Sequence, residues 1–268
     1  VVLPAMRLHR INMVVWATVS AVPWVVGALA DEHSRLVWWA AAAAIDLLGM
    51  RLRHPVPGLP VPGRDEIDFD LPHQIERCQL FLIICLGEAI LTTGNAIIHG
   101  LDEPLVVAAG VTSLLVIIGV WALFFGPANE EHVLAPMTSE AHGDDPAANV
   151  SLAVLATNGQ QVLVLGMVAL AVGAEVVVAE PAEPIAPAAV MALFGGMVIC
   201  VTAFWFFLTR STGRSMWVSL AACDAVLICA AGVSVLAGLS GIAVMGLLVV
   251  VTASTAWGFN REARLLAR

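Results

Sequence analysis

The sequence predicts an all-α, polytopic membrane protein of about eight spanning helices, and three observations predict it. Of 268 residues, 60% are hydrophobic and 12% charged, with a mean hydropathy of +0.91, whereas a soluble domain carries about 25% charged residues. The apolar residues fall in runs close to the ~20 residues that a bilayer requires of a helix. The basic residues, all twelve of them arginine, cluster in alternate gaps between those runs. The net charge of −9 argues against a nucleic-acid partner, for which a basic patch is needed.

Taken in order, the opening "VVLPAMRLHRIN" leads straight into an apolar run over 11–30. A secretory signal would have a short apolar region and a cleavage site there, so none is expected. The second run, 36–50, is short, and "LVWWAAAAAIDLLGM" can begin a turn earlier, at His33 or Ser34. Next comes "RLRHPVPGLPVPGRDEIDFDLP", which is not one helix, because proline removes hydrogen bonds and clashes with the preceding turn. Runs over 73–98 and 104–127 follow, then a polar loop over 128–149, then runs over 150–174, 187–209, 215–237 and 239–258. The last two nearly touch at "LAGLSG", a Gly/Ser turn signal. No internal repeat is evident, and residues 1–268 read as a single transmembrane domain.

Arginine placement orients this map, since cytoplasmic loops are rich in Lys and Arg. With eight spans and both termini cytoplasmic, Arg7, Arg10, Arg51, Arg53, Arg64, Arg210, Arg214, Arg261, Arg264 and Arg268 all fall inside. Arg35 falls outside and Arg77 within a span. The outer loops are acidic, with Asp102, Glu103, Glu175, Glu180 and Glu183. A bacterial cytoplasmic membrane is the expected location. The loop "ANEEHVLAPMTSEAHGDDPAAN" holds Glu130, Glu131, His132, Glu140 and His142, but no spacing there matches a metal site, so a solvated loop is expected. The five cysteines, Cys78, Cys85, Cys200, Cys223 and Cys229, lie in apolar runs without a CxxC pair and read as small hydrophobes. Neither metal nor cofactor is expected.

Charge within a membrane costs about 2.5–3.5 kcal/mol per Asp, Lys or Arg at a helix centre, so each such residue needs a reason. The third run is densest: "HQIERCQLFLIICLGE", residues 73–88. With His73 at zero and about 100° per residue, Glu76 falls near 300°, Arg77 near 40°, Glu88 near 60° and Asn95 near 40°. All five fit within about 120° of arc. Such a stripe is expected to face the bundle interior or an aqueous cavity. Arg77 and Glu88 stand about 16 Å apart along the axis and cannot pair, whereas Arg77 can meet His73 or a carboxylate of another helix. His73, Glu76 and Arg77 sit near the cytoplasmic entrance, and Glu88 lies mid-membrane, where a proton-exchanging or cation-binding carboxylate would be most effective. Asp46 and Asp224 are lone carboxylates in apolar runs, each a candidate partner for Arg77. In "TNGQQ", residues 157–161, Asn158 and Gln161 are candidates to line a path, although such residues commonly join helices. The tryptophans read as interface anchors or core. The signatures GxSxG, HExxH, the P-loop and GxGxxG are absent, so no enzyme is expected.

The string formed by His73, Glu76, Arg77, Leu80, Phe81, Ile83, Ile84, Leu86, Gly87 and Glu88 resembles that of the bacterial low temperature requirement A (LtrA) family. "HRINMVVWATVSAVPWVVGAL" at 9–29 and "LFGGMVICVTAFWFFLTR" at 193–210 are similar to the family too, and the resemblance covers nearly the whole chain. Family members usually begin with helices bearing a Glu-Leu-Phe-Phe-Asp-Leu-type motif. Nothing like it occurs here, so the chain is expected to start partway into the family pattern. The resemblance implies an integral membrane protein needed for growth in the cold, and implies no particular chemistry. The leading expectation is a transporter or ion-translocating protein with Glu88 as its central site, His73, Glu76 and Arg77 as a gate network, and Asp46 or Asp224 as a secondary site. A non-transporting protein that supports the envelope in the cold comes second, and an intramembrane lipid-modifying enzyme last. Expected partners are the lipid bilayer, an unidentified small solute or ion and, as an option, further copies of the chain.

Overall fold

A computed structural model describes residues 4–61, 63, 70–98, 100–126, 146–212 and 217–266. These form eight helices: α1 (Pro4–Leu29), α2 (Glu32–Leu52), α3 (Leu71–Ile98), α4 (Pro104–Phe125), α5 (Pro146–Ala179), α6 over 187–212, α7 (Trp217–Leu236) and α8 (Gly241–Leu266). No strand occurs among the described residues; one isolated antiparallel bridge joins Pro184 to Ser240. Seven helices are long and apolar enough to cross a membrane. The exception is α2, a helix of 21 residues whose Glu32, Arg35, Asp46 and Arg51 dilute its hydropathy. It does begin before residue 36, at the turn beside His33.

Helix ends follow from the sequence. At α2, Asp31 accepts from the backbone N of Ser34 at 3.3 Å and from the Ser34 hydroxyl, and these bonds hold its carboxyl below the usual range. At α3, Asp70 accepts from the backbone N of His73 at 3.0 Å. Pro104 and Pro187 occupy the first turns of α4 and α6, where a missing N–H costs nothing.

The chain divides into two compact units. The first holds α1 and α2, an antiparallel hairpin. Gly27 lies against Trp38 and Trp39, and Gly49 against Trp16. The second holds α3, α4, all but the first residues of α5, and α6 to α8, with one core. In it Phe204 stands edge-on to Phe124 at 4.6 Å and to Phe259 at 5.3 Å, and Trp205 lies 5.2 Å from Phe259. Within α6, Met191–Gly195 is π-helical, between Pro187–Val190 and Gly196–Thr212. This widened turn sits where α5 and α6 cross backbone to backbone. A Cβ on Gly166 would lie 2.6 Å from the Cys200 sulfur and 2.7 Å from the Gly196 carbonyl, and one on Gly196 would lie 2.6 Å from the Gly166 carbonyl. Close approach through small residues is how membrane helices gain contact without a hydrophobic driving force.

Candidate functional site

α3 presents two faces. Its buried residues are Leu71, Ile75, Leu82, Leu86, Ala89 and Thr93, which on the same wheel cluster within about 160–220°. His73, Glu76, Arg77, Glu88 and Asn95 are all exposed. The stripe therefore forms, but it points away from the core of its own unit; of the two expected settings, the bundle interior and an aqueous cavity, the first does not hold within that unit. The buried face is not the bulkier one, since Ala89 and Thr93 lie on it and Phe81, Ile84 and Leu91 lie outside; what sets it apart is that it carries no Asp, Glu, Arg or His, and burying a charge is costly.

Partners differ from those expected as well. His73 Nδ1 lies 3.9 Å from Glu76 Oε2, both well exposed, so the histidine meets Glu76 and not Arg77. No hydrogen bond or ion pair engages Arg77 or Glu88 among the described residues. Asp46 accepts from Trp24 Nε1 at 3.2 Å. Asp224, half-buried, accepts from Thr202 Oγ1 at 3.1 Å, and its second oxygen is buried without a partner. Within the second unit, Asp224 does not pair with Arg77. Asn158 and Gln161 are exposed on α5. The acidic-histidine loop with His132 and His142 lies outside the described residues. Among those described, no group of three or more His, Cys, Asp or Glu could hold a metal.

The inner side of α3 holds a polar niche whose α5 half, Thr157 and Gln160, belongs to the stretch expected to line a path or join helices, and whose α3 half the sequence did not reveal. Gln74 Nε2 donates to Thr157 Oγ1 at 3.1 Å, and Gln160 Nε2 donates to the Cys78 carbonyl at 3.4 Å. Next to them, Gln79, Gln160, Gly159, Phe124 and Phe207 help line a cavity of about 80 Å³. The signal on α3 was faint: Gln74 and Gln79 lie far from α5 in the chain, and each is ordinary alone. A smaller cavity of about 30 Å³ lies among α3, α4, α5, α6 and α8. Its hydroxyls, Thr93 and Ser113, both donate to their own helices, so it is in effect apolar.

An all-helical chain with seven helices able to cross a membrane and ionisable groups along one of them is a multi-pass membrane protein. Residues 4–255 match the bacterial low temperature requirement A protein (LtrA) family, and the chain belongs to it. An uncharacterized protein of Rhizobium meliloti (strain 1021) is 28% identical over 178 residues, 66% of this chain and 42% of the relative. The match thus spans less than half the length of that protein. No solved structure matches the chain.

Proposed function

We propose that this LtrA-family protein translocates a proton or small cation across the bacterial cytoplasmic membrane, with Glu88 as its central exchangeable site. One observation carries the reading. Glu88 lies midway along a membrane-crossing helix, exposed and without an ion pair among the described residues. A carboxylate cannot rest against hydrocarbon at low cost. A hydrated path along this face of α3 meets that requirement, and leaves the group free to exchange its ion. In this reading His73, Glu76 and Arg77 form the cytoplasmic mouth of the path, with Asn95 beyond Glu88 on the same face. Both termini are cytoplasmic.

The test is flux of protons and alkali cations into proteoliposomes. Glu88→Gln, which keeps size and loses charge, is expected to abolish flux while the protein still inserts and purifies normally. Unchanged flux would sink the proposal. The second reading, a non-transporting protein that supports the envelope in the cold, draws on the same outward face, since a polar stripe on the outside of a helix unit can also join it to another protein. It predicts that Glu88→Gln alters assembly and leaves every flux as it was.

A further inference from the structure

The end of α2 carries a turn that its residues disfavour. Arg53 and His54 both take left-handed backbone, at φ 64° and 54°. Helices often end this way, but usually with glycine at the left-handed position, and a residue before proline, as His54 is, is ordinarily extended. The turn is held by backbone bonds from Arg53 N to the Met50 carbonyl at 3.3 Å and from His54 N to the Gly49 carbonyl at 2.7 Å. These carbonyls are thus served by the main chain, and the Arg53 and His54 side chains are left for another purpose.

Both are turned toward α1. The His54 ring lies 6.2 Å from that of His9 and 6.2 Å from that of Trp16, edge-on to each. Arg53 is within electrostatic reach of His9. Asn12, between His9 and Trp16 on the same face of α1, is fully buried, with 0% exposure. The loop after α2 is strapped over this corner: Asn12 Nδ2 donates to the Pro60 carbonyl at 3.3 Å and Trp16 Nε1 to the Pro55 carbonyl at 2.8 Å. Yet Arg53 Nη2, His54 Nδ1 and Asn12 Oδ1 are all buried without a hydrogen-bond partner. Among the described residues, the carboxylate that acts on His54 is Asp46, which is itself bonded to Trp24. Burial, then His9, hold the His54 imidazole below its ordinary value, and Asp46 opposes them.

A buried, unpartnered guanidinium nitrogen and imidazole nitrogen, with a second imidazole, that of His9, beside them, call for an anion, because buried polar groups are costly unless satisfied. We propose that the nook formed by His9, Arg53 and His54 binds a phosphate group that carries a neighbouring hydroxyl. Arg53 would take two of its oxygens, as guanidinium does with phosphate. His54 Nδ1 would donate to a third, and Asn12 Oδ1 would accept from the hydroxyl. Free phosphate has a P–OH that fits, and an anionic phospholipid such as phosphatidylglycerol has a headgroup hydroxyl that fits.

Three measurements on the full chain test this. Inorganic phosphate, titrated against chloride at constant ionic strength, is expected to raise the melting temperature of the detergent-purified protein saturably. Failing that, native mass spectrometry from phosphatidylglycerol nanodiscs should show retained lipid, and phosphatidylcholine nanodiscs none. The first result identifies free phosphate and the second a headgroup, and a protein that responds to neither overturns the proposal. Saturating phosphate, or the phosphatidylglycerol nanodisc, should protect His9 and His54 from diethyl pyrocarbonate, and undiminished modification would refute the location without recourse to a variant. Arg53→Gln should weaken binding by about tenfold or more, the loss of a charge-assisted bidentate contact. Asn12→Asp keeps all three basic groups and places a carboxylate in the seat, so it should abolish binding. A folded Asn12→Asp protein that binds as the wild type does would also overturn the proposal.

Discussion

Asp224 and Glu88 show how much depends on what a single carboxylate meets. Both looked alike in the sequence, as acids within apolar runs. Asp224 has Thr202 at 3.1 Å and is half-buried, whereas Glu88 has no such neighbour among the described residues. The hydroxyl of Thr202 donates, so the pair survives if the acid becomes an amide and is lost if the donor goes. Asp224→Asn is therefore expected to melt close to the wild type and to keep whatever flux the protein has. Thr202→Val should lower stability by about 1–3 kcal/mol, the cost of a buried acceptor left unsatisfied, as read from thermal melts in detergent. A complete loss of flux in Asp224→Asn would instead make Asp224 a transport site. Neither partner was legible beforehand, because Thr202 and Asp224 belong to different helices and no spacing rule joins them. In the α3–α5 niche, Gln160 and Thr157 belong to the stretch expected to join helices, but their partners on α3, Cys78 and Gln74, were hidden for the same reason.

At the scale of helices, the sequence was more readable. All eight runs form helices, and the third carries the polar stripe at the expected azimuths. What periodicity did not reveal is which way that helix faces. In water, the apolar side of a helix is the inner side. In a membrane, lipid-facing and core-facing residues are equally apolar, and Phe81, Ile84 and Leu91 on the outside of α3 look no different from Leu82 and Leu86 within. Packing detail is then set by small residues, as at the α5–α6 crossing. Gly166→Ala places a methyl within 2.6 Å of the Cys200 sulfur and 2.7 Å of a backbone carbonyl. It is expected to destabilise by about 1–3 kcal/mol, as overpacking does. Gly232→Ala, on α7 with nothing within 4 Å of the new atom, should be neutral or stabilising, since alanine favours a helix by about 0.8–1.0 kcal/mol over glycine. Equal melting of the two variants would show that the α5–α6 contact is looser than it stands here.

The whole molecule raises the question of sidedness, and α2 is its hinge. By composition α2 falls short of a spanning helix, and without it the two termini would lie on opposite faces. Its length and its pairing with α1 are nonetheless those of a helix that can cross. Its 21 residues measure about 31 Å at 1.5 Å each, and it returns along α1, with Trp38 and Trp39 beside Gly27 at one end and His54 beside His9 at the other. If α1 crosses, α2 crosses back, and its polar groups are eased by local partners such as Trp24 for Asp46. The second unit has its own alternation. Ile185 N donates to the Leu239 carbonyl at 3.1 Å and Gly241 N to that of Glu183 at 3.0 Å, so the α5–α6 loop and the α7–α8 turn share one face, as alternation requires. In the orientation proposed from the arginine pattern, that face is the outer one. Single cysteines at Asp102 and Ala182, in a background without native cysteine, are therefore expected to react with a membrane-impermeant maleimide on intact cells, and one at Leu59 only after lysis. Labelling of Leu59→Cys from outside would mean either that α2 does not cross the membrane or that the first hairpin is inverted. Labelling of Ala182→Cys only after lysis would invert the second unit, and with it the direction in which Glu88 is reached.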